Sequence, residues 1–340
     1  MTKSKEMYYK DYLQLSVVLN AQNPLTTAHD EAFFIIAHQT HELWFKQVIL
    51  ELRYAIDGLL NNQISVATIA SKIDRIAGIF CLFVQQLKHL ENMKSIDFLD
   101  FRDALSPASG FQSLQFRVIE HLLGTLSSKS CPMANFRLQP EDLQYLENAI
   151  QEPTLMDGLL YALQKLPLSY QNAQEFWDMY RQLMIQQLQK EKHILENNPY
   201  LSPGLLEKEK NQLNQIIEHL DLLYQAENSG ISHARLSSLF IFLYEDVPWM
   251  CAYFRLMKAL IELEEGLALW RYHHWMMVKR MIGQQPGTGG SSGLGYLQNH
   301  LNLQCSFSEL TQWGSFMLPR NQLPSIPENL RTLLIQQNVF

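Results

Sequence analysis

The stretch Ile69-Ala-Ser-Lys-Ile73-Asp-Arg-Ile76-Ala-Gly-Ile-Phe80-Cys-Leu-Phe83-Val-Gln-Gln-Leu87-Lys-His-Leu90 decides the fold class. Its numbered apolar residues recur at alternating steps of four and three, which is the spacing of one face of an α-helix. Upstream, the same period predicts a helix that starts near Thr27, with Asp30 as its capping-box partner. That helix continues through Phe34, His38, Trp44, Ile49 and Leu52 to a break at Asn61-Asn62. Two helices of this length point to an elongated bundle.

Downstream, residues 106–112 are rich in turn formers, and a short helix is expected from Leu114 to Leu123. Residues 140–230 are polar, Gln-rich and helical in period, with Pro153, Pro167, Pro199 and Pro203 as breaks. Another long helix is expected between Pro248 and Gly283. The glycine-rich run Gly287–Gly293 follows, then two short helices and a tail carrying Pro319, Pro324 and Pro327. No alternating run predicts a strand, so the chain reads as all-α. We expect one catalytic domain over 1–340, with 1–26 as a docking segment and 140–230 as a variable helical region.

The net charge of −7 and the lack of any Lys/Arg cluster argue against a nucleic-acid surface. No run of ~18 uncharged apolar residues suggests a membrane span, and the start of the chain has no apolar signal core. A cytoplasmic location is therefore expected. The four cysteines, Cys81, Cys131, Cys251 and Cys305, are scattered without a CxxC pair, so reduced structural thiols are expected.

Four segments could carry chemistry. On the helix ending at Gly283, His274 shares a face with Leu267, Trp270, Met277, Val278 and Met281, while His273 leans toward Arg280. Such a histidine is either a hydrogen-bonded core residue or an imidazole ligand of a haem iron, and spacing does not choose between them. His38 sits among Ile35, Ile36 and Ala37, four residues from Phe34. It too is either a satisfied core histidine or a group aimed at a ligand. Phe98, Arg102 and Leu105 recur at i, i+4, i+7, so Arg102 either pairs with a nearby Asp or offers its fork to a carboxylate. The Gly287–Gly293 run lacks the lysine of a phosphate loop. It is a linker or a closing lid, with Thr288 supplying a hydroxyl. The aromatic cluster Tyr8, Tyr9 and Tyr12 is either a frayed end or a docking element.

Several motifs together resemble the tryptophan 2,3-dioxygenase family. They are Tyr9-Lys-Asp-Tyr-Leu, Leu19-Asn-Ala-Gln, His29-Asp-Glu, His38-Gln, and Glu42-Leu-Trp-Phe-Lys-Gln47. Phe101-Arg-Asp and Ser106-Pro-Ala-Ser-Gly-Phe-Gln-Ser-Leu-Gln-Phe-Arg117 follow. Trp270-Arg-Tyr-His-His274, Arg280-Met-Ile-Gly283 and Gly287-Thr-Gly-Gly-Ser-Ser-Gly293 complete the set.

The resemblance implies a haem b enzyme, ferrous when active, that adds both atoms of O2 to L-tryptophan and yields N-formyl-L-kynurenine. The alternative it leaves is a related haem indole monooxygenase acting on a tryptophan derivative. It implies His274 as the iron ligand and His38 as acceptor of the indole N–H. Phe34, Phe98 and Leu105 would wall the indole, while Arg102 and Thr288 would hold the amino-acid end. Ala108, Ser109 and Gly110 would line the pocket beside the haem, with Trp270 and Arg117 at its edge. Tyr9 and Tyr12 would reach across a subunit boundary, because members of the family are homotetramers, arranged as dimers of dimers. Departures include His41, three residues after His38, and the bulky His273 and Trp275 around His274.

Overall fold

A computed structural model describes residues 6–125, 138–225, 230–288, 293–301 and 307–337. Among them there is no strand, so the all-α reading holds. Two short exposed helices, α1 (Tyr9–Tyr12) and α2 (Leu15–Val18), open the chain. The long helices α3 (His29–Asn61) and α4 (Val66–Leu90) follow, then α5 (Ser95–Arg102) and α6 (Leu114–Leu122). The middle contains α7 (Pro140–Ala149), α8 (Leu155–Gln164), α9 (Gln174–Glu196), α10 (Pro203–Gln225) and α11 (Gly230–Leu243). The last group is α12 (Cys251–Ile282), α13 (Gly293–Leu301), α14 (Ser308–Thr311) and α15 (Glu328–Gln337). Helix α15, anchored by buried Leu330 and Leu334, lies in the proline-rich tail, where the sequence analysis placed no helix.

The deciding stripe behaves as its spacing requires. Ile69, Ile73, Ile76, Phe80, Phe83, Leu87 and Leu90 are all buried along α4. Ser65 caps this helix by accepting the Thr68 amide at 3.2 Å.

The start of α3 corrects the capping expectation. Its N-cap is Ala28, whose methyl group cannot accept a hydrogen bond, and Asp30 plays no capping part. Buried Glu31 reaches back instead. It accepts the Leu25 amide at 2.6 Å, the Thr26 amide at 2.8 Å and the Thr26 hydroxyl at 2.6 Å. Three donors on one carboxylate hold its pKa below the ordinary value, the Thr26 side chain contributing most. Asn62, left-handed at φ 58°, ends α3 at the expected break. Gly283, at φ 57° and ψ −127°, ends α12 in a conformation that a side chain would oppose.

The most extensive helix pairing is α4 against α12, and α3 packs on α4, α6 and α8. The close approach is made at Gly266, where a Cβ would lie 3.2 Å from Phe80 Cβ and 3.6 Å from the Ala77 carbonyl. Around this crossing Phe45, Phe80, Phe83, Phe116 and Trp270 form an aromatic cluster, with edge-on and tilted contacts.

The middle helices form a buttress behind α3. Phe176, Trp177, Tyr180, Met184 and Leu188 make the buried stripe of α9. Trp177 Nε1 donates to the Leu168 carbonyl at 3.0 Å, and the Tyr224 hydroxyl donates to the Trp177 carbonyl at 3.0 Å. Cys81 and Cys251 are free thiols at the surface rather than packed within it; Cys131 and Cys305 lie outside the described residues.

Substituting Gly266→Val tests the crossing. Branched bulk against Phe80 is expected to destabilise the chain by about 1–3 kcal/mol, read as a lower urea midpoint. An unchanged midpoint would show that α4 and α12 do not depend on this approach.

Candidate functional site

Two helices present matching faces to one cavity. On α3, Phe34, His38, His41 and Phe45 follow the spacing four, three, four; on α12, Trp270, His274, Met277 and Met281 repeat it. All eight line a cavity of about 280 Å³. Helix α5 supplies Phe98 and Arg102, the turn before α6 supplies Ser109 and Gly110, and the segment after α12 supplies Gly287 and Thr288. The walls are mostly apolar, so each polar group among them has a marked environment.

The His38 ring lies 4.1 Å from that of Phe34. Its Nδ1 is 2.8 Å from the Phe34 carbonyl. A carbonyl only accepts, so Nδ1 carries the proton and Nε2 keeps its lone pair. Burial lowers the His38 pKa; the Phe34 carbonyl and the Glu42 charge oppose this only in part. The ring is thus neutral near pH 7, with a bare acceptor.

His41 repeats the arrangement one turn on. Its Nδ1 is 2.8 Å from the Ala37 carbonyl, and its ring stacks on Phe83 at 4.9 Å. Its buried Nε2 has no hydrogen-bond partner among the described residues. Burial again lowers its pKa, as the first of several causes.

His274 stands on the α12 wall, stacked with Trp270 at 5.6 Å. Burial, joined by the nearby His38 and His41, pushes its pKa down to about 4. No hydrogen bond ties its ring nitrogens to any described residue. A haem held by histidine would need a neutral imidazole with a free lone pair, and His274 offers one on an apolar wall. Among the described residues no group of three or more His, Cys, Asp or Glu side chains converges to hold a metal ion by itself. The one imidazole of His274, with its lone pair free, fits an iron that brings its own macrocycle. Trp270 Nε1, buried on the same wall without a hydrogen-bond partner among the described residues, adds an unspent donor there.

Charged groups gather elsewhere on the lining. Buried Arg117 and Glu120 pair at 2.6 Å, and Arg271 reaches the same carboxylate at 3.3 Å. Glu42 accepts the Ser113 hydroxyl at 2.6 Å and the Gln115 amide at 2.9 Å, tying α3 to the start of α6. Arg102 Nη1 donates to Gln285 Oε1 at 3.2 Å and Nη2 donates to the Pro286 carbonyl. The Thr288 hydroxyl donates to the Ala108 carbonyl at 2.6 Å.

Ten of the residues singled out in the sequence share this cavity: Phe34, His38, Phe98, Arg102, Ser109, Gly110, Arg117, Trp270, His274 and Thr288. The others stand apart from its lining. Leu105 lies on a short 3-10 turn after α5 and packs on the core beside the cavity. Ala108 is exposed and joins through its carbonyl alone. Tyr9 and Tyr12 project from α1, 75% and 73% exposed. Positions 289–292 of the glycine run lie outside the described residues.

His41, Glu42, Glu120 and Arg271 also line the cavity and have no role legible in the sequence. The four-three-four spacing from Phe34 already carried the signal for His41's place on the cavity face of α3. Nothing local marks Glu120 and Arg271, which meet only because α6 and α12 do.

The cavity histidines set a pH dependence with a definite sign. An unfolded histidine takes up its proton near about pH 6.5, whereas His38, His41 and His274 resist it in the fold. Stability is thus retained above that pH and declines as pH falls through it. Urea midpoints between about pH 7.5 and 5.5, above the carboxylate range, are expected to fall with acidity. His41→Phe should flatten that slope, and an unaltered slope would mean that His41 titrates normally.

A family model described as tryptophan 2,3-dioxygenase matches residues 1–317. The tryptophan 2,3-dioxygenase of Bdellovibrio bacteriovorus is 35% identical, over 96% of this chain and 97% of its own. Tryptophan 2,3-dioxygenase B of Danio rerio is 35% identical over 95% of this chain and 84% of its own. For the Dictyostelium discoideum enzyme of that name the figures are 33%, 95% and 87%. With the whole cavity inside the matched span, the chain belongs to the tryptophan 2,3-dioxygenase family.

Proposed function

We propose that this chain is a haem-dependent dioxygenase that joins L-tryptophan and both atoms of O2 to give N-formyl-L-kynurenine. One observation carries the reading. In a chain of this family, a single cavity holds a neutral imidazole without hydrogen bonds, His274, together with Phe34, His38, Phe98, Arg102 and Thr288.

L-Tryptophan presents a carboxylate, an ammonium, an indole N–H and a large apolar ring, and the lining answers each group in kind. Arg102 offers its fork to the carboxylate. Thr288 offers a hydroxyl to the amino-acid end. Phe34 and Phe98 flank the ring, and Leu105 backs this apolar wall from the core. His38 Nε2 accepts the indole N–H, because Nδ1 is spent on the Phe34 carbonyl. An indole N–H is too weakly acidic to be removed easily, so His38 acts by orienting the ring. His274 would hold the iron, with Trp270 and Arg117 at the haem edge and Ala108, Ser109 and Gly110 on the substrate side. The haem, when bound, supplies the iron chemistry that activates O2.

The reading includes a homotetramer arranged as a dimer of dimers, with Tyr9 and Tyr12 completing a neighbour's site. Two surfaces support it. The aromatic residues of α1 are exposed, and α3 carries an apolar seam at Phe33, Ile36, Leu43, Leu50 and Tyr54, each more than a third exposed. The spacing of this seam is that of a helix packed on another helix. No helix of the described residues is long and apolar enough to cross a membrane. The exposed thiols of Cys81 and Cys251 suit a reducing compartment, and a cytoplasmic location is part of the proposal.

The enzyme purified with haem is expected to show a Soret band and to form a product carrying two atoms from isotopically labelled O2. A product with one labelled atom, or none after haem reconstitution, would overturn the assignment. His274→Ala should lose the Soret band while its helical circular dichroism persists. Arg102→Ala should weaken L-tryptophan binding by about 1.5–3 kcal/mol, because it removes the charged hydrogen-bond partner of the carboxylate. Wild-type affinity in that variant would remove Arg102 from the site.

A further inference from the structure

The guanidinium of Arg102 is already engaged inside the protein. Its two terminal nitrogens each face an acceptor oxygen from adjacent residues: Gln285 Oε1 on Nη1 at 3.2 Å and the Pro286 carbonyl on Nη2. Two oxygens on two terminal nitrogens is the arrangement by which a carboxylate grips an arginine. The same segment is stitched down nearby. The Thr288 hydroxyl donates to the Ala108 carbonyl at 2.6 Å, and the Ser106 hydroxyl donates to the Thr288 carbonyl at 3.4 Å. Both groups assigned above to the amino-acid end of the substrate thus have partners within the chain.

We infer that Gln285 and the Pro286 carbonyl are internal stand-ins for the substrate carboxylate, and that Gln285 sets the affinity for carboxylate-bearing ligands by competing for Arg102. The inference rests on the reading of Arg102 as the carboxylate partner. A carboxylate, carrying full charge, outcompetes two neutral oxygens, so the substrate displaces them and frees the 285–286 segment from Arg102. An indole ligand without a carboxylate has no means to do so. Gln285 therefore discriminates between ligands without touching the ring.

Titration calorimetry on the haem-loaded full-length protein tests this, with L-tryptophan and tryptamine, its analogue lacking the carboxylate. Gln285→Ala removes one competing acceptor and is expected to tighten L-tryptophan binding about two- to tenfold, with tryptamine unchanged. Gln285→Glu installs a stronger internal competitor, so L-tryptophan binding should weaken while tryptamine binding does not. Because Gln285 is exposed, neither change threatens the fold. Unchanged or weaker L-tryptophan binding in Gln285→Ala would overturn the inference and show that the glutamine merely steadies Arg102. Arg102→Ala separates the two levels. If it binds L-tryptophan as tightly as the wild type, the carboxylate assignment itself fails. If it loses L-tryptophan while Gln285→Ala binds no tighter, only the competition is wrong.

Discussion

Keeping an imidazole neutral and without hydrogen bonds inside an apolar cavity costs free energy, and the architecture is arranged around that cost at His274. Water would hydrate the ring and raise its pKa, so the helices must exclude water while leaving the lone pair open to a ligand. Helical spacing within α12 stacks Trp270 on His274, and the packing of α4 and α6 against α12 closes the far side of Trp270 with Phe80, Phe83 and Phe116. Opposite, α3 meets the cavity with two further neutral rings, His38 and His41. The like charge each would carry if protonated adds to the depression at His274. Three neutral imidazoles thus face one cavity, two of them held through Nδ1 by backbone carbonyls and the third without a hydrogen bond to any described residue.

Several buried aromatic groups elsewhere do find partners. In the buttress behind α3, Trp177, Tyr224 and Trp313 each spend a buried indole or phenol hydrogen on an oxygen of the protein. At the cavity, Trp270 Nε1 and His41 Nε2 do not find one among the described residues. Unmade hydrogen bonds in a dry interior are costly, typically about 1–3 kcal/mol each. Other buried polar atoms without such a partner, on Gln86, Ser237 and Trp275, lie away from the cavity lining, so it is the position of Trp270 and His41 on that lining that bears on a ligand.

Arginine placement follows a related logic. Arg117 and Arg271 share Glu120 in the interior, where an unpaired cation would be expensive. Arg102, nearer the surface, is held by neutral oxygens that a charged ligand can replace. One site is built for permanence and the other for exchange. The difference lies in what faces each guanidinium, not in the arginine.

The all-α class and the buried face of α4 were legible in the sequence, because helical periodicity is a local property that survives without knowledge of the partner. So were the break at Asn61-Asn62, the long helix ending at Gly283, and the pairing of Phe34 with His38 on one face. Local sequence misled at Thr27 and Asp30. A carboxylate one residue later, Glu31, reached the free amides, and loop geometry rather than spacing made that choice. Spacing also left His274 undecided between core residue and ligand, since the cavity around it is lined from several other helices. Only tertiary structure opposed α3 to α12, joined Arg271 to Glu120 across α6 and α12, and brought Gln285 and Pro286 onto Arg102. Those contacts span long separations along the chain, and no periodicity encodes them. They follow from how helices close on one another to shed water.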